Sequence, residues 1–302
     1  MTKRMWNACL IIGMLAVVSF AFAAENAGDP QKHLLAQANS GDPDRDSAQS
    51  PHGNQIQLIR NATMKITYAG RTFLTDPMLS PKGALMSFAG IASNPTVDLP
   101  FTTEDILSEV ECVIVSHLHP DHFDGAASKA VSKEMPLFCQ PGDEAQIASE
   151  GFKNVMPIAI STMWKGISIT RINGNHGKGK ILERLGKVSG FVFQAKGEPT
   201  VYWVGDSIWC KEVEDAIRLY KPDMIVTHSG GATIPGFEPI IMDAEQTLTL
   251  AGSSPKALVV AIHMEALDHC TVSRNKLRQE ADKAGIAVSR LKIPGDGGVI
   301  SF

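Results

Sequence analysis

The sequence predicts an α/β protein with four layers (αββα), in which two β-sheets pack face to face and helices cover both outer surfaces. Three observations lead to this prediction. Apolar segments typical of buried strands alternate with helical segments from residue 55 to residue 302. A β-hairpin opens this region, and several later strands end at a side chain that can bind a metal ion. With 44% hydrophobic residues, a chain of 302 residues can bury the large core that such a domain needs.

The N-terminus has the pattern of a secretory signal peptide. Lys3 and Arg4 precede an apolar run over residues 9–22, and an Ala-Phe-Ala sequence ends at Ala23. We therefore expect cleavage of residues 1–23 and a periplasmic or secreted mature protein without a stable membrane span. An uncleaved anchor is the alternative, but the run is shorter than the ~20 residues that a membrane helix needs.

Regular structure is predicted to begin near Gln55. Residues 24–54 are rich in Asp, Ser, Gln, Gly and Pro and cannot bury enough apolar surface, so we expect a disordered leader there. Residues 55–75 alternate apolar and polar side chains as strands do, and Ala69-Gly70 supplies the turn of a hairpin. Asp76 follows directly after this hairpin, where it can also cap the next loop.

A long irregular segment over residues 78–100 is typical of a loop that flanks a site. Met78, Leu79, Met86 and Phe88 could provide an apolar wall for a substrate, and local packing explains them equally well.

A dense group of polar side chains follows Val113-Ile-Val115, which has the pattern of a strand buried on both faces. His117 and His119 stand two residues apart at its end, so both imidazoles point the same way and can reach one ion. The chain then turns, and Asp121 and His122 face a neighbouring position. These N and O donors suit zinc, and iron or manganese also accept them. A polar loop with chance histidines is the alternative, but burying these side chains together is costly unless a charge compensates them.

After this cluster, helices and strands alternate. Helices are predicted over residues 102–108, 126–133, 143–151, 211–220, 244–251 and 273–284, and strands over residues 135–139, 155–160, 167–172, 188–194, 200–204, 224–227 and 257–262.

Five further polar side chains follow strands or lie in adjoining loops. His176 lies in a glycine-rich loop, and Asp206 follows a strand, where it could instead cap the next helix. His263 ends an apolar strand, which repeats the pattern of the first cluster. His228 precedes a loop that is expected to face the site, and it could contact a substrate or support a ligand. His269 could do the same, or it could pack against the N-terminus of the next helix.

The motif His117-x-His119-x-Asp121-His122 resembles the signature of the metallo-β-lactamase superfamily, whose hydrolases hold one or two metals at the edge of an αββα sandwich. The resemblance covers residues 55–302. It implies one metal bound by His117, His119 and His176, a second bound by Asp121, His122 and His263, and a bridging Asp206. The superfamily also places an acidic residue at the position of Asp76, which favours a role in orienting a ligand histidine.

This resemblance implies a metal-dependent hydrolase. Two divalent ions, expected to be Zn²⁺ with Mn²⁺ or Fe²⁺ also acceptable, lower the pKa of a shared water and create hydroxide that attacks an ester, lactone or phosphodiester. Asp121 is the candidate catalytic residue because it can steady that nucleophile. An aspartate at 206, where many β-lactamases use a cysteine, moves the resemblance toward lactonases, thioesterases and phosphodiesterases, including N-acylphosphatidylethanolamine phospholipase D, which Thr75-Asp76-Pro77 also resembles. The glycine pair after His228 is similar to that of members resembling ascorbate-6-phosphate lactonase.

Three alternatives are weighed against this prediction. A β-lactamase and a metal-binding protein without turnover could use the same ligands. So could a di-iron oxidoreductase, but relatives of that kind carry an attached flavin domain for which no room is visible. A net charge of −4 without a basic run disfavours nucleic acid, so a small-molecule substrate is expected. The four cysteines after the signal peptide are expected to be free, buried thiols: Cys112, Cys139, Cys210 and Cys270.

Overall fold

The computed structural model describes residues 53–302. The predicted signal peptide (residues 1–23) and nearly all of the predicted leader (residues 24–54) lie outside the described residues. Asn54, at the end of that leader, is packed against the domain, since its side-chain amide donates to Glu198 over 2.6 Å. The domain therefore includes Asn54, one residue before the predicted boundary.

Within residues 53–302, the strands form two sheets of seven. The first sheet contains β1 (Gln55–Arg60), β2 (Thr63–Tyr68), β3 (Arg71–Thr75), β4 (Cys112–Val115), β5 (Leu137–Cys139), β6 (Val155–Pro157) and β14 (Val299–Ser301). The second contains β7 (Ser161–Trp164), β8 (Ile167–Gly174), β9 (Val188–Gln194), β10 (Val201–Trp203), β11 (Met224–His228), β12 (Leu258–Ile262) and β13 (Leu291–Lys292). The strand orders are β14-β1-β2-β3-β4-β5-β6 and β13-β12-β11-β10-β9-β8-β7.

Four of the seven helices of the described residues begin at a side chain that caps them. They are α1 (Thr103–Leu107), α2 (Gly125–Ala130), α3 (Glu144–Ser149), α4 (Ile181–Leu185), α5 (Lys211–Tyr220), α6 (Ala244–Ser253) and α7 (Arg274–Lys283). Thr102, Asp124, Asp243 and Ser273 each accept a hydrogen bond from the backbone N–H three residues on, as N-caps do.

Three hydrophobic clusters separate the four layers. The central one lies between the sheets, where Phe73 of β3 meets Phe193 of β9 with ring centroids 5.1 Å apart. A second cluster lies between the outer face of the second sheet and α5, α6 and α7. A third covers the outer face of the first sheet beneath α1, α2 and α3. The αββα architecture predicted from the sequence is confirmed.

The position of the polar side chains follows from strand direction. β3, β4 and β5 run parallel to one another, and so do β10, β11 and β12. The carboxyl ends of parallel strands meet at one edge of a sheet, which is where ligands bind in such folds. Asp76, His117, Asp206, His228 and His263 all stand at such ends.

Several element boundaries differ from the sequence prediction. The strand β7 and the helix α4 were not predicted, because neither has a periodic apolar pattern long enough to be recognised. Helix α2 ends at Ala130 and not at residue 133, since Val131 already has an extended backbone.

All four cysteines expected to be free are free in the structure. Cys112 and Cys139 are buried in strands, whereas Cys210 and Cys270 are partly exposed. None of the helices in residues 53–302 has the length and apolar character that crossing a bilayer requires.

Candidate metal centre

Three histidines form the first group of ligand atoms. His117, His119 and His176 each offer a ring nitrogen, and these three atoms lie within 4.8 Å of one another. His117 Nε2 lies 2.9 Å from His119 Nδ1. The other nitrogen of each ring is already engaged. His176 Nδ1–H donates to the carbonyl of Ile240 over 2.8 Å, and His119 Nε2–H donates to that of Leu185 over 3.1 Å. These bonds leave His176 Nε2 and His119 Nδ1 with lone pairs for a metal.

Asp121, His122, Asp206 and His263 form the second group, with ligand atoms also within 4.8 Å of one another. The Oδ2 atom of Asp121 lies 3.3 Å from both His122 Nε2 and His263 Nε2. All four side chains are buried. The residues that the sequence predicted as ligands are thus brought together in the two groups that the resemblance implied.

Asp206 lies between the groups. Its Oδ2 is 3.1 Å from His122 Nε2 on one side, and 3.5 Å from His176 Nε2 and 3.9 Å from His117 Nε2 on the other. Cys210 occupies the N-cap position of helix α5, so Asp206 does not have the capping role that was its alternative.

Asp76 orients His122. Its Oδ2 lies 2.6 Å from His122 Nδ1, and it also accepts hydrogen bonds of 2.7 Å from the backbone N–H and the hydroxyl of Ser116. A carboxylate at Nδ1 keeps the proton on that nitrogen and directs Nε2 toward the centre.

Asp76 and His263 both have positive φ angles, 38° and 59°. Such strained backbone is concentrated at functional sites.

The pKa values reflect this burial and crowding. Burial opposes ionisation of Asp206, but the nearby imidazoles of His122 and His263 hold its pKa well below its usual range. Burial likewise opposes charge on His263, yet Asp206 and Asp121 raise its pKa to about 10. The carboxylates also raise the pKa of His122 well above its usual range, whereas burial lowers that of His176 to about 4.

Divalent metal ions fit this donor set. Asp76, Asp121 and Asp206 are buried together, which is costly unless positive charge compensates them. A zinc ion bonds nitrogen at about 2.0–2.1 Å, so two tetrahedral nitrogen ligands stand roughly 3.3 Å apart. His122 Nε2 and His263 Nε2 are 3.4 Å apart. This separation matches that of two nitrogen ligands of one cation.

A cavity of about 340 Å³ opens above the ligands. His119, Asp121, His176 and Asp206 form its floor. Its walls come from four loops, which carry Met86, Ser87, Phe88, Pro120, Ile234, Ile240 and His269, and from the end of α4, which carries Arg184 and Leu185. Met86 and Phe88 thus line the cavity, as one of the two sequence interpretations held, whereas Met78 and Leu79 are buried in the domain.

His228 is buried at the end of β11 and contacts Asp206 rather than the cavity. The turn before Asp206 requires a glycine, because it packs closely against the neighbouring strand β9. Gly205 has φ +70°, and a Cβ there would lie 2.4 Å from the carbonyl oxygen of Ser189.

Two supporting residues were not found from the sequence. Asn61, in the turn after β1, donates to the carbonyl of Asp121 over 3.0 Å, and its own carbonyl accepts from His263 N–H over 3.0 Å. Trp203 donates from its indole N–H to His228 Nε2 over 2.9 Å. The Asn at a turn and the Trp on a strand carry no local signal of this role, because their partners are distant in the chain.

Comparison with known proteins agrees with this fold and site. Residues 71–264 match the family described as the beta-lactamase superfamily domain. The UPF0173 protein YddR of Bacillus subtilis is 36% identical over 82% of this chain and 99% of its own. An isothiocyanate hydrolase from Delia radicum gut bacteria is 37% identical, with a TM-score of 0.78 over 82% of this chain and 99% of its own. A possible metal-dependent hydrolase from Veillonella parvula is 36% identical, with a TM-score of 0.81 over 83% of this chain and 100% of its own.

The protein therefore belongs to the beta-lactamase superfamily. The more specific resemblance to lactonases and to a phospholipase D stays a prediction.

Proposed function

We propose that this protein is a metal-dependent hydrolase that adds water to a small electrophilic substrate. It holds two divalent ions, and Zn²⁺ is the first candidate for both. Two groups of ligand atoms, three residues in one and four in the other, meet at the floor of an open cavity, and this arrangement is the main support for the proposal. The names of its relatives, which include metal-dependent hydrolases, point the same way.

His117, His119 and His176 would hold the first ion, and Asp121, His122 and His263 the second, with Asp206 between them. Bound there, divalent ions lower the pKa of a water molecule and polarise the group under attack. Asp121 reaches both the second ligand group and the cavity. Its carboxylate can accept a hydrogen bond from the attacking water and so direct an oxygen lone pair at the substrate.

Isothiocyanates are the substrate class to test first, because the isothiocyanate hydrolase is similar over nearly its whole length. Water adds to the central carbon of R–N=C=S, its protons pass to nitrogen, and the C–N bond breaks to give R–NH₂ and COS. Water is the only co-reactant. Of the side chains that line the cavity, Arg184 is the single lysine or arginine, which favours neutral substrates over phosphodiesters.

The experiment loads metal-free protein separately with Zn²⁺, Mn²⁺ and Fe²⁺ and measures metal content and turnover. The panel contains phenethyl isothiocyanate, phenyl acetate, a lactone, a phosphodiester and a β-lactam. We expect two ions per chain and turnover of the isothiocyanate or the ester, lost when the metal is removed by a chelator. The variant His117→Ala should lose activity while keeping the fold. Two tightly bound ions without turnover of any panel member would identify a metal-binding protein instead, and preferred turnover of the β-lactam would identify a β-lactamase.

A further inference from the structure

One wall of the cavity is a loop held in place by a single carboxylate. Asp268 Oδ1 accepts from the backbone N–H of Phe88 over 3.0 Å and from the side-chain amide of Asn94 over 3.0 Å. Its Oδ2 accepts from the Ser87 hydroxyl and from further backbone N–H groups of the same loop, at 3.2–3.3 Å: Ala89, Ile91 and Ala92. The shape of residues 86–92 therefore depends on Asp268.

The loop presents apolar side chains to the cavity. Met86 is 77% exposed, and Phe88 is half-buried beside it. Ile234 and Leu185 line the cavity as well. An apolar rim around a polar floor is complementary to a substrate that has a reactive polar group at one end and a hydrocarbon group at the other.

His269, next to Asp268, lies where the apolar wall meets the floor. It is 7% exposed, and its ring packs edge-on against Phe88 with centroids 5.2 Å apart. Among the described residues neither ring nitrogen has a hydrogen-bond partner, and Nδ1 is fully buried. Because Nδ1 is fully buried, a ligand in the cavity would meet the other ring nitrogen, Nε2. Polar atoms inside a protein are nearly always paired, so an imidazole without partners on a cavity wall points to a bound ligand that supplies one.

We propose that this wall is a specificity site for substrates with an aryl or alkyl substituent. Met86, Phe88 and Ile234 bind the hydrocarbon group, and His269 forms a hydrogen bond with the heteroatom of the reacting group. Asp268 is a positioning residue, because it acts only through the loop. The inference rests on the proposed hydrolase function and adds the part of the substrate that the site selects.

Two substrates that differ only in the hydrocarbon group test the wall, for example phenethyl and methyl isothiocyanate or the matched esters. We expect Phe88→Ala to lower the ratio of kcat/KM for the phenethyl substrate to kcat/KM for the methyl substrate on the order of tenfold. Ile91→Ala is the matched control, since Ile91 belongs to the same loop, is 77% exposed and does not line the cavity. An equal ratio in the wild-type protein and in Phe88→Ala would overturn the assignment of the wall.

His269→Phe keeps the ring packed against Phe88 but removes both nitrogens. It should lower kcat/KM for both substrates by a similar factor, about tenfold or more, with unchanged metal content. His269→Gln should restore part of this loss, because its amide can still form a hydrogen bond. If His269→Phe hydrolyses both substrates as well as the wild type, His269 does not contact the reacting group.

Two measurements need no turnover and therefore separate this inference from the proposed function. Asp268→Asn should increase amide hydrogen exchange at residues 88–92 without loss of metal. In binding titrations, 2-phenylethanol should bind more tightly than ethanol to the wild-type protein, and Phe88→Ala should remove the difference. If no panel substrate is turned over but 2-phenylethanol still binds more tightly than ethanol, only the proposed hydrolase function is refuted. Equal binding of both alcohols to the wild type would refute the specificity site.

Discussion

His228 Nδ1 lies 2.5 Å from Asp206 Oδ1, at the point where the two ligand groups meet. Trp203 donates to the Nε2 of the same ring, and an indole N–H can only donate. His228 Nε2 must therefore accept, which places the ring proton on Nδ1 and makes it a donor to Asp206. The buried chain from Trp203 through His228 fixes the carboxylate that lies between the groups.

This relationship predicts that His228→Leu weakens metal binding by about 10- to 100-fold, the range found when a residue that supports a metal ligand is lost. His228→Asn should bind metal better than His228→Leu, because its amide can still donate toward Asp206. Trp203→Phe should have a smaller effect in the same direction. Metal affinity is measured by competition with a chelator of known affinity.

Tyr202→Phe is the matched control for this series. Tyr202 is the neighbour of Trp203 and is equally buried, but its hydroxyl has no hydrogen-bond partner. Its removal should leave metal affinity unchanged and keep or raise the melting temperature, since an unpaired buried hydroxyl is unfavourable. Weaker metal binding in Tyr202→Phe than in Trp203→Phe would contradict the role given to Trp203.

Replacing Asp206 tests whether it bridges two ions. Without its shared carboxylate, two like-charged ions would lie close together, so Asp206→Ala should retain one ion per chain in place of two. The ion with fewer imidazole ligands, next to Asp121, His122 and His263, should leave first. Elemental analysis of the purified variant measures this number. Two retained ions with near-normal activity would show that the assignment of the second group is wrong.

Metal uptake should release protons. His263 has a pKa raised to about 10 and His122 a pKa well above its usual range, so both carry protons in the metal-free protein at pH 7. A metal binds the neutral ring, so these protons must leave, and the apparent affinity should rise from pH 6 to pH 8. Titration calorimetry in buffers of different ionisation enthalpy counts the protons. No proton release over this range would contradict the pKa shifts.

The raised pKa of His263 also makes the stability of the metal-free protein depend on pH. A raised folded-state pKa means that His263 stabilises the fold fully below about pH 6.5, and that this contribution is lost as the pH rises through about 10. Thermal unfolding of metal-free protein should therefore move to lower temperature between these pH values.

Export of the chain is tested by the mass of the mature protein. We expect the exported form to begin at residue 24, because small residues at 21 and 23 follow the apolar run. Ala23→Leu should slow or block cleavage, since the site requires a small side chain there. Recovery of the full-length protein in the membrane fraction would show that the apolar run is an anchor.

The sequence alone predicted the four-layer fold and the ligand residues. His117 and His119 are two positions apart at the end of an apolar strand, and an extended backbone places such side chains on one side whatever surrounds them. The superfamily resemblance added His176, Asp206 and His263, each in a strand-end or glycine-rich context that is visible locally.

Only the tertiary structure decided how these ligands are supported. Trp203 is 25 residues from His228, and Phe88 is 180 residues from Asp268. Asp76 meets His122 across 46 residues. Local periodicity reports which face of a strand or helix is buried, but it contains no information about which distant strand end or loop supplies a hydrogen-bond partner. The ligand types are therefore a property of the local sequence, whereas the orientation of the ligands and the shape of the cavity arise from the packing of the two sheets and their loops.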